Sequence, residues 1–139
     1  MSFEEKRAWI YAVVAAGVSL VYFATVLGQV RAAEVTEIAY VRPMLTAIGV
    51  ALAVNVVAHI VAGIASPGEA DRKDERDADI HRHGRRAGYY VLAAGGVVAL
   101  GLTLAEYENF WIANALYLAF VLDALASSIT KIVAYRRGF

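Results

Sequence analysis

Four long apolar runs dominate this chain and leave it few folds to choose from. The first spans Ala8 to about Gly28, the second about Pro43 to Ala65 and the third about Ala87 to Ala105, none with a charged residue. The fourth, about Phe110 to Ala134, contains Asp123 and Lys131. About 20 apolar residues coiled as a helix cross a hydrocarbon layer of ~30 Å. Backbone polar groups in lipid must be satisfied within the segment, which selects helix for each run. The chain is 60% hydrophobic, with a mean hydropathy of +0.54. That exceeds the roughly 45–50% apolar content of ordinary soluble domains. The expectation is an all-α polytopic membrane protein over residues 1–139, with four transmembrane helices as two hairpins and no soluble domain attached.

The polar segments fix the connections. Gln29 to Tyr40 forms the first link, and Arg42-Pro43 opens the second helix, with proline at its first position, where an N–H has no intrahelical partner. The only long polar stretch runs over residues 66–86. Ser66-Pro67-Gly68-Glu69 reads as a capping box that starts a helix there. The spacings Glu69 to Lys73, Asp77 to His81 and Asp79 to His83 support an amphipathic helix, and the like-charge pair Glu75 and Asp79 opposes it. Gly84 and Gly88 mark an expected bend where this hinge joins the third span. Glu106 to Asn109 makes a short turn. MSFEEKR precedes the first run without an obvious cleavage site, so that run is read as a retained helix.

Orientation follows from lysine and arginine. With the N-terminus cytoplasmic, 11 of the 13 basic residues fall on the inner side and only Arg31 and Arg42 on the outer. Such asymmetry places both termini and the hinge in the cytoplasm of a cell (inner or plasma) membrane. Trp9, Tyr11, Tyr40, Tyr89, Tyr90, Tyr107, Phe110, Trp111 and Tyr135 lie near helix ends, as interfacial aromatic belts require. A weak repeat aligns Arg7-Ala8-x-x-Tyr11 with Arg86-Ala87-x-x-Tyr90, which would make the two hairpins parallel duplicates; chance coincidence of small residues explains it equally well.

Asp123 is the most informative residue inside a span, because a charge at mid-membrane costs about 2.5–3.5 kcal/mol and must face protein or water. Ser127 and Thr130 share its helix face, and Asn55 and His59 form a stripe at similar depth on the second helix. These spacings suggest an interhelical cluster of Asn55, His59, Asp123 and Ser127 that handles a ligand, proton or ion, with Tyr22 and Thr25 as further candidates. The plainer alternative is a set of hydrogen bonds that hold helices in register. Small residues four apart, Ala24 and Gly28, Gly95 and Ala99, Gly101 and Ala105, Ala124 and Ser128, permit close packing within a bundle or a homodimer.

In the hinge, Asp74, Asp77 and His81 share one helical face, and Glu75, Asp79 and His83 another. Either set has the donor types for a divalent ion, but the interleaved basic residues neutralise the carboxylates and no established metal motif is present. Whether a metal binds is left open. A salt-bridged solvated helix, or a docking surface for a cytoplasmic protein, accounts for the same residues. Arg82, Arg85 and Arg86 stand where lipid headgroups lie.

Asp74-Glu75-Arg76-Asp77-x-x-Ile80, followed by Arg86-x-x-Tyr89-Tyr90-Val91-Leu92, resembles the recurring segment of a largely uncharacterised group of small four-helix integral membrane proteins of bacteria and archaea. The opening Lys6-Arg7-Ala8-Trp9-Ile10-Tyr11 is similar to actinobacterial examples. The resemblance implies the four-helix plan and a cytoplasmic role for the acidic-basic segment, and it implies no catalytic residues.

A net charge of zero gives no electrostatic footprint for nucleic acid, and the absence of cysteine excludes thiol chemistry and cysteine-held metals. No nucleophile elbow or phosphate-binding glycine loop is present. The sequence therefore points to a non-enzymatic accessory, regulatory or scaffolding membrane protein without a cofactor, in contact with lipid and assembled as a homo-oligomer, most simply a dimer. The alternative is a small oligomeric transporter or channel built on the Asp123 cluster.

Overall fold

The computed structural model describes residues 2–65, 68 and 75–138. Four long helices form the chain: α1 (Phe3–Leu27), α2 (Val41–Ala65), α3 (Glu75–Leu104) and α4 (Asn109–Arg137), with one 3-10 turn at Val35–Glu37. Each is long and apolar enough to cross a membrane. No strand occurs among the described residues.

The helices begin and end where local chemistry directs. α1 starts five residues before the apolar run, because Ser2 caps it: the Glu5 N–H donates to Ser2 Oγ at 3.1 Å. The Ser2-Phe3-Glu4-Glu5 order is a legible start signal of the capping-box type. α2 starts at Val41 rather than Pro43, and the Met44 N–H donates to the Tyr40 carbonyl at 2.9 Å. Pro43 stays within the first turn, where its missing N–H costs nothing. α3 closes in a Schellman turn, with Tyr107 N–H donating to Leu102 O and Glu106 N–H to Thr103 O. Glu106 holds the left-handed position of that turn, at φ 60°.

The hinge and the third span are one uninterrupted helix from Glu75 onward. The helix is not broken at Gly84 and Gly88, where a bend was expected; both glycines are buried and face α4. The expected Ser66–Glu69 capping box and Asp74 lie outside the described residues. At ~1.5 Å per residue, 30 residues extend about 45 Å, beyond the ~30 Å apolar layer. The polar turns 75–86 therefore project past the span.

The helices pack in the order α2, α1, α4, α3, with α3 on α4 the most extensive contact. That seam follows from small residues. A side-chain carbon on Gly95 would collide with Ala119, and one on Gly84 would stand 2.8 Å from the Ser127 carbonyl oxygen. Close backbone approach of this kind supplies the van der Waals packing that holds helices together in lipid, where hydrophobic burial offers no driving force. α1 and α4 are joined at the link end by a buried bond in which the Tyr22 hydroxyl donates to Asn114 Oδ1 at 2.6 Å. Asn114 donates in turn to the Phe110 carbonyl at 2.8 Å. Tyr117 and Phe23 pack around Tyr22, and Tyr40 meets Phe110 edge-on at 5.4 Å. Phe110 is buried, so this part of the expected aromatic belt is core instead.

At the opposite end, which carries both termini, polar bonds tie α4 to its neighbours. Arg136 Nε donates to Glu5 Oε1 at 2.7 Å, and the Tyr135 hydroxyl donates to Asp77 Oδ1 at 2.6 Å.

Candidate functional site

A cavity of about 510 Å³, lined by both charged and apolar residues, lies at the terminal end of the bundle, between α1, α3 and α4. Its geometry follows from residue spacing. On α4, Asp123, Ser127, Lys131 and Tyr135 recur every four residues and line the cavity as one stripe. On α3, Asp77, His81, Arg85 and Tyr89 do the same. α1 contributes Glu4, Arg7 and Tyr11.

Two glycines set the depth at which the α4 side chains lie. A carbon on Gly84 would meet Lys131 Cγ at 2.6 Å and Cε at 2.9 Å, so the lysine stem rests directly on the α3 backbone. A carbon on Gly88 would collide with Asp123 Oδ1. The carboxylate thus sits against α3 within the bundle, as its mid-membrane position demands.

The cavity lies beside the termini and reaches to mid-bundle. Its lining stops at Leu92 and Asp123. Further along, Gly95 closes on Ala119, and the Tyr22, Phe23 and Tyr117 rings with the Tyr22–Asn114 bond fill the space between α1 and α4.

The acids around the cavity are held in different ways. Glu4 lies 3.4 Å from Arg7. Asp77 accepts from Tyr135. Among the described residues, Asp123, Arg85 and Lys131 form no ion pair. His81, on the exposed, projecting part of α3, has its pKa pushed below the ordinary 6.5 by partial desolvation beside the cavity, then by the nearby Lys131 and Arg85 cations; Glu4 opposes the shift.

The four residues expected to form an intramembrane cluster are not brought together. Asp123 and Ser127 share the cavity as their spacing indicates, but Asn55 and His59 are on α2, whose main neighbour is α1. Equal depth on two helices does not make them adjacent. Asn55 Nδ2 donates to the Ala51 carbonyl of its own helix at 2.9 Å, and the His59 ring packs edge-on against Tyr11 at 4.8 Å. Asn55 Oδ1 and His59 Nε2 are buried without a hydrogen-bond partner among the described residues. Tyr22 goes to Asn114, and the Thr25 hydroxyl donates to the Val21 carbonyl.

In the hinge, Asp77 and His81 share a face, and it is the cavity face. Asp79 pairs with Arg82, Glu75 and His83 are exposed, and Asp74 lies outside the described residues. No group of three or more histidine and acidic side chains suited to a metal ion occurs among the described residues. Arg85 and Arg86 are both exposed, and of the two only Arg85 lines the cavity.

Lys131, Tyr135, Arg7 and Tyr11 belong to the site but were not singled out for it from sequence. Continuing the four-residue step from Asp123 through Ser127 reaches Lys131 and Tyr135. The proposed repeat is also out of step with the site: Arg7 and Tyr11 face the cavity together with Arg85 and Tyr89, one residue before Arg86 and Tyr90.

No family model, no curated protein and no solved structure matches this chain.

Proposed function

We propose that this is a non-enzymatic protein of the cell membrane, both termini cytoplasmic, with an accessory or regulatory role exerted through the charged end of its bundle. The observation that carries the reading is the cavity beside the termini, whose lining ends at Leu92 and Asp123. A cavity whose lining ends at mid-bundle suits binding and signalling better than passage. The bias of lysine and arginine towards this end supports a cytoplasmic opening. The resemblance of the Asp74–Ile80 segment to other small four-helix membrane proteins agrees with a purpose built into the projecting part of α3. The long apolar outer face of α2 meets lipid or a second copy, and a homodimer is part of the proposal.

Native mass spectrometry of the full chain released from mild detergent tests it. A species retained by the wild type and lost from Ser127→Phe, which fills the cavity, is the expected result. Retention of the same species by both proteins contradicts it. The mass of the complex reports the dimer.

One observation favours a second reading: Asp123 has no ion pair at the floor of the cavity, as a proton- or ion-carrying carboxylate in a transporter would. Flux in proteoliposomes that disappears in Asp123→Asn with the fold intact would move the assignment to transport.

A further inference from the structure

Three helices each present a cation and a tyrosine four residues apart to the same cavity: Arg7 and Tyr11 on α1, Arg85 and Tyr89 on α3, Lys131 and Tyr135 on α4. From this convergence we infer that the cavity receives a phosphate-bearing anion, clamped by Arg7, Arg85 and Lys131. The inference rests on the cavity being a binding site at all.

The lining carries three carboxylates, Glu4, Asp77 and Asp123, against the three cations, so it is the placement of the groups that points to an anion. Glu4 forms its ion pair with Arg7, at the long distance of 3.4 Å, and Asp77 accepts from the Tyr135 hydroxyl. Asp123 lies at the floor, against Gly88 and two helical turns from Lys131. Arg85 and Lys131 thus form no ion pair with a carboxylate among the described residues, although Glu4 and Asp123 lie near enough to act on Lys131. Lys131 is partly withdrawn from water, with its stem laid on Gly84. An ammonium in that position is stabilised by a counterion more than one in bulk water.

Three cations approaching from three helices match an anion with several oxygens in different directions, which a phosphate has and a carboxylate lacks. The guanidinium forks of Arg7 and Arg85 suit paired phosphate oxygens, while Lys131 acts as a point charge. Ser127 adds a hydroxyl donor one turn deeper than Lys131, and Tyr11 one turn deeper than Arg7. Two sources share this chemistry. A phospholipid headgroup reaches the cavity from the membrane surface, where α3 leaves the apolar layer. A soluble phosphate ester reaches it from the aqueous side.

The test is native mass spectrometry of the full chain in mild detergent, titrated with phosphatidylglycerol, with phosphate-free diacylglycerol, and with glycerol phosphate. Phosphatidylglycerol bound in preference to diacylglycerol, and weakened about tenfold in Lys131→Met and in Arg85→Gln, is the expected result for a lipid source. Glycerol phosphate bound with the same dependence gives the same site a soluble ligand. Lys131→Met keeps the apolar stem against Gly84, and an unchanged melting temperature confirms its fold. Binding indifferent to both substitutions overturns the clamp. If Ser127→Phe still expels a neutral species that Lys131→Met retains, the cavity stands as a binding site and only the anion is wrong. If Ser127→Phe expels nothing, both fail.

Discussion

Gly88 of α3 is the seat of Asp123 of α4: a side-chain carbon on Gly88 would fall on the carboxylate oxygen and stand 3.0 Å from the Asp123 main-chain carbonyl. One absent methyl group thereby lets an acid at mid-span pack inside the protein. Gly84 does the same for Lys131 one turn away.

Adding that methyl group should be costly. Gly84→Ala and Gly88→Ala are each expected to destabilise the protein by about 1–3 kcal/mol, the usual range for overpacking. At Gly84 the Ser127 carbonyl is main chain and cannot swing aside, so that variant should fare no better than Gly88→Ala. Gly101→Ala, which meets nothing within 4 Å, should be neutral or stabilising by up to ~1 kcal/mol. Thermal unfolding in one detergent, with the three variants side by side, checks the order.

Tyr22→Phe removes the buried bond between α1 and α4 and leaves Asn114 Oδ1 without its donor. The expected loss is about 1–2 kcal/mol. Tyr107→Phe, at an exposed tyrosine, serves as the comparison and should change stability by less than about 0.5 kcal/mol.

The Glu5–Arg136 pair should respond unequally to loss of either partner. Glu5 is buried and Arg136 is largely exposed. Arg136→Met strands a carboxylate away from water, whereas Glu5→Met returns a guanidinium to solvent. Arg136→Met should therefore be the more destabilising by about 1 kcal/mol in chemical or thermal unfolding.

The Schellman turn after α3 carries glutamate where glycine is the usual residue. Glu106 at φ 60° carries the steric penalty of a side chain in the left-handed region. Glu106→Gly should stabilise by about 0.5–1 kcal/mol after the entropic cost of glycine. A fall in melting temperature would mean that the Glu106 side chain makes a compensating contact.

His81 sets a pH dependence. Its folded pKa lies below the ordinary 6.5, so as pH falls the unfolded chain takes up the proton first. This group contributes nothing above about 6.5, and stability is lost as pH drops from there towards the folded pKa. His81→Gln should remove that part of the acid-side loss. An unchanged slope of melting temperature against pH would show that His81 is not the group responsible.

Much of the fold was legible because lipid constrains sequence so strongly: apolar runs of about 20 residues have one solution each. The common face of Asp123 and Ser127 was equally legible, since side chains four apart on a helix coincide. Neighbour choice was not. Asn55 and His59 match Asp123 in depth, yet nothing in a linear pattern says that α1 stands between their helices. Gly84 and Gly88 were ambiguous for a related reason: glycine weakens a helix and also admits close packing, and only the partner's identity decides which. The Ser2 cap and the continuation of the Asp123 stripe to Lys131 and Tyr135 were present in the spacing and were passed over. Asn114 carried the plain signal of a polar residue within an apolar span.

The central claim, a cavity beside the termini whose lining ends at mid-bundle, is most directly tested by cysteine accessibility, because the chain contains no cysteine of its own. Ser127→Cys, with Thr36→Cys in the exposed link as the opposite-side control, would be treated with a membrane-impermeant thiol reagent in vesicles of either orientation. The expected result is labelling of Cys-substituted Ser127 only from the side that carries the termini, and of Thr36→Cys only from the other. Labelling of Ser127→Cys from both sides, or from the link side alone, would contradict that claim.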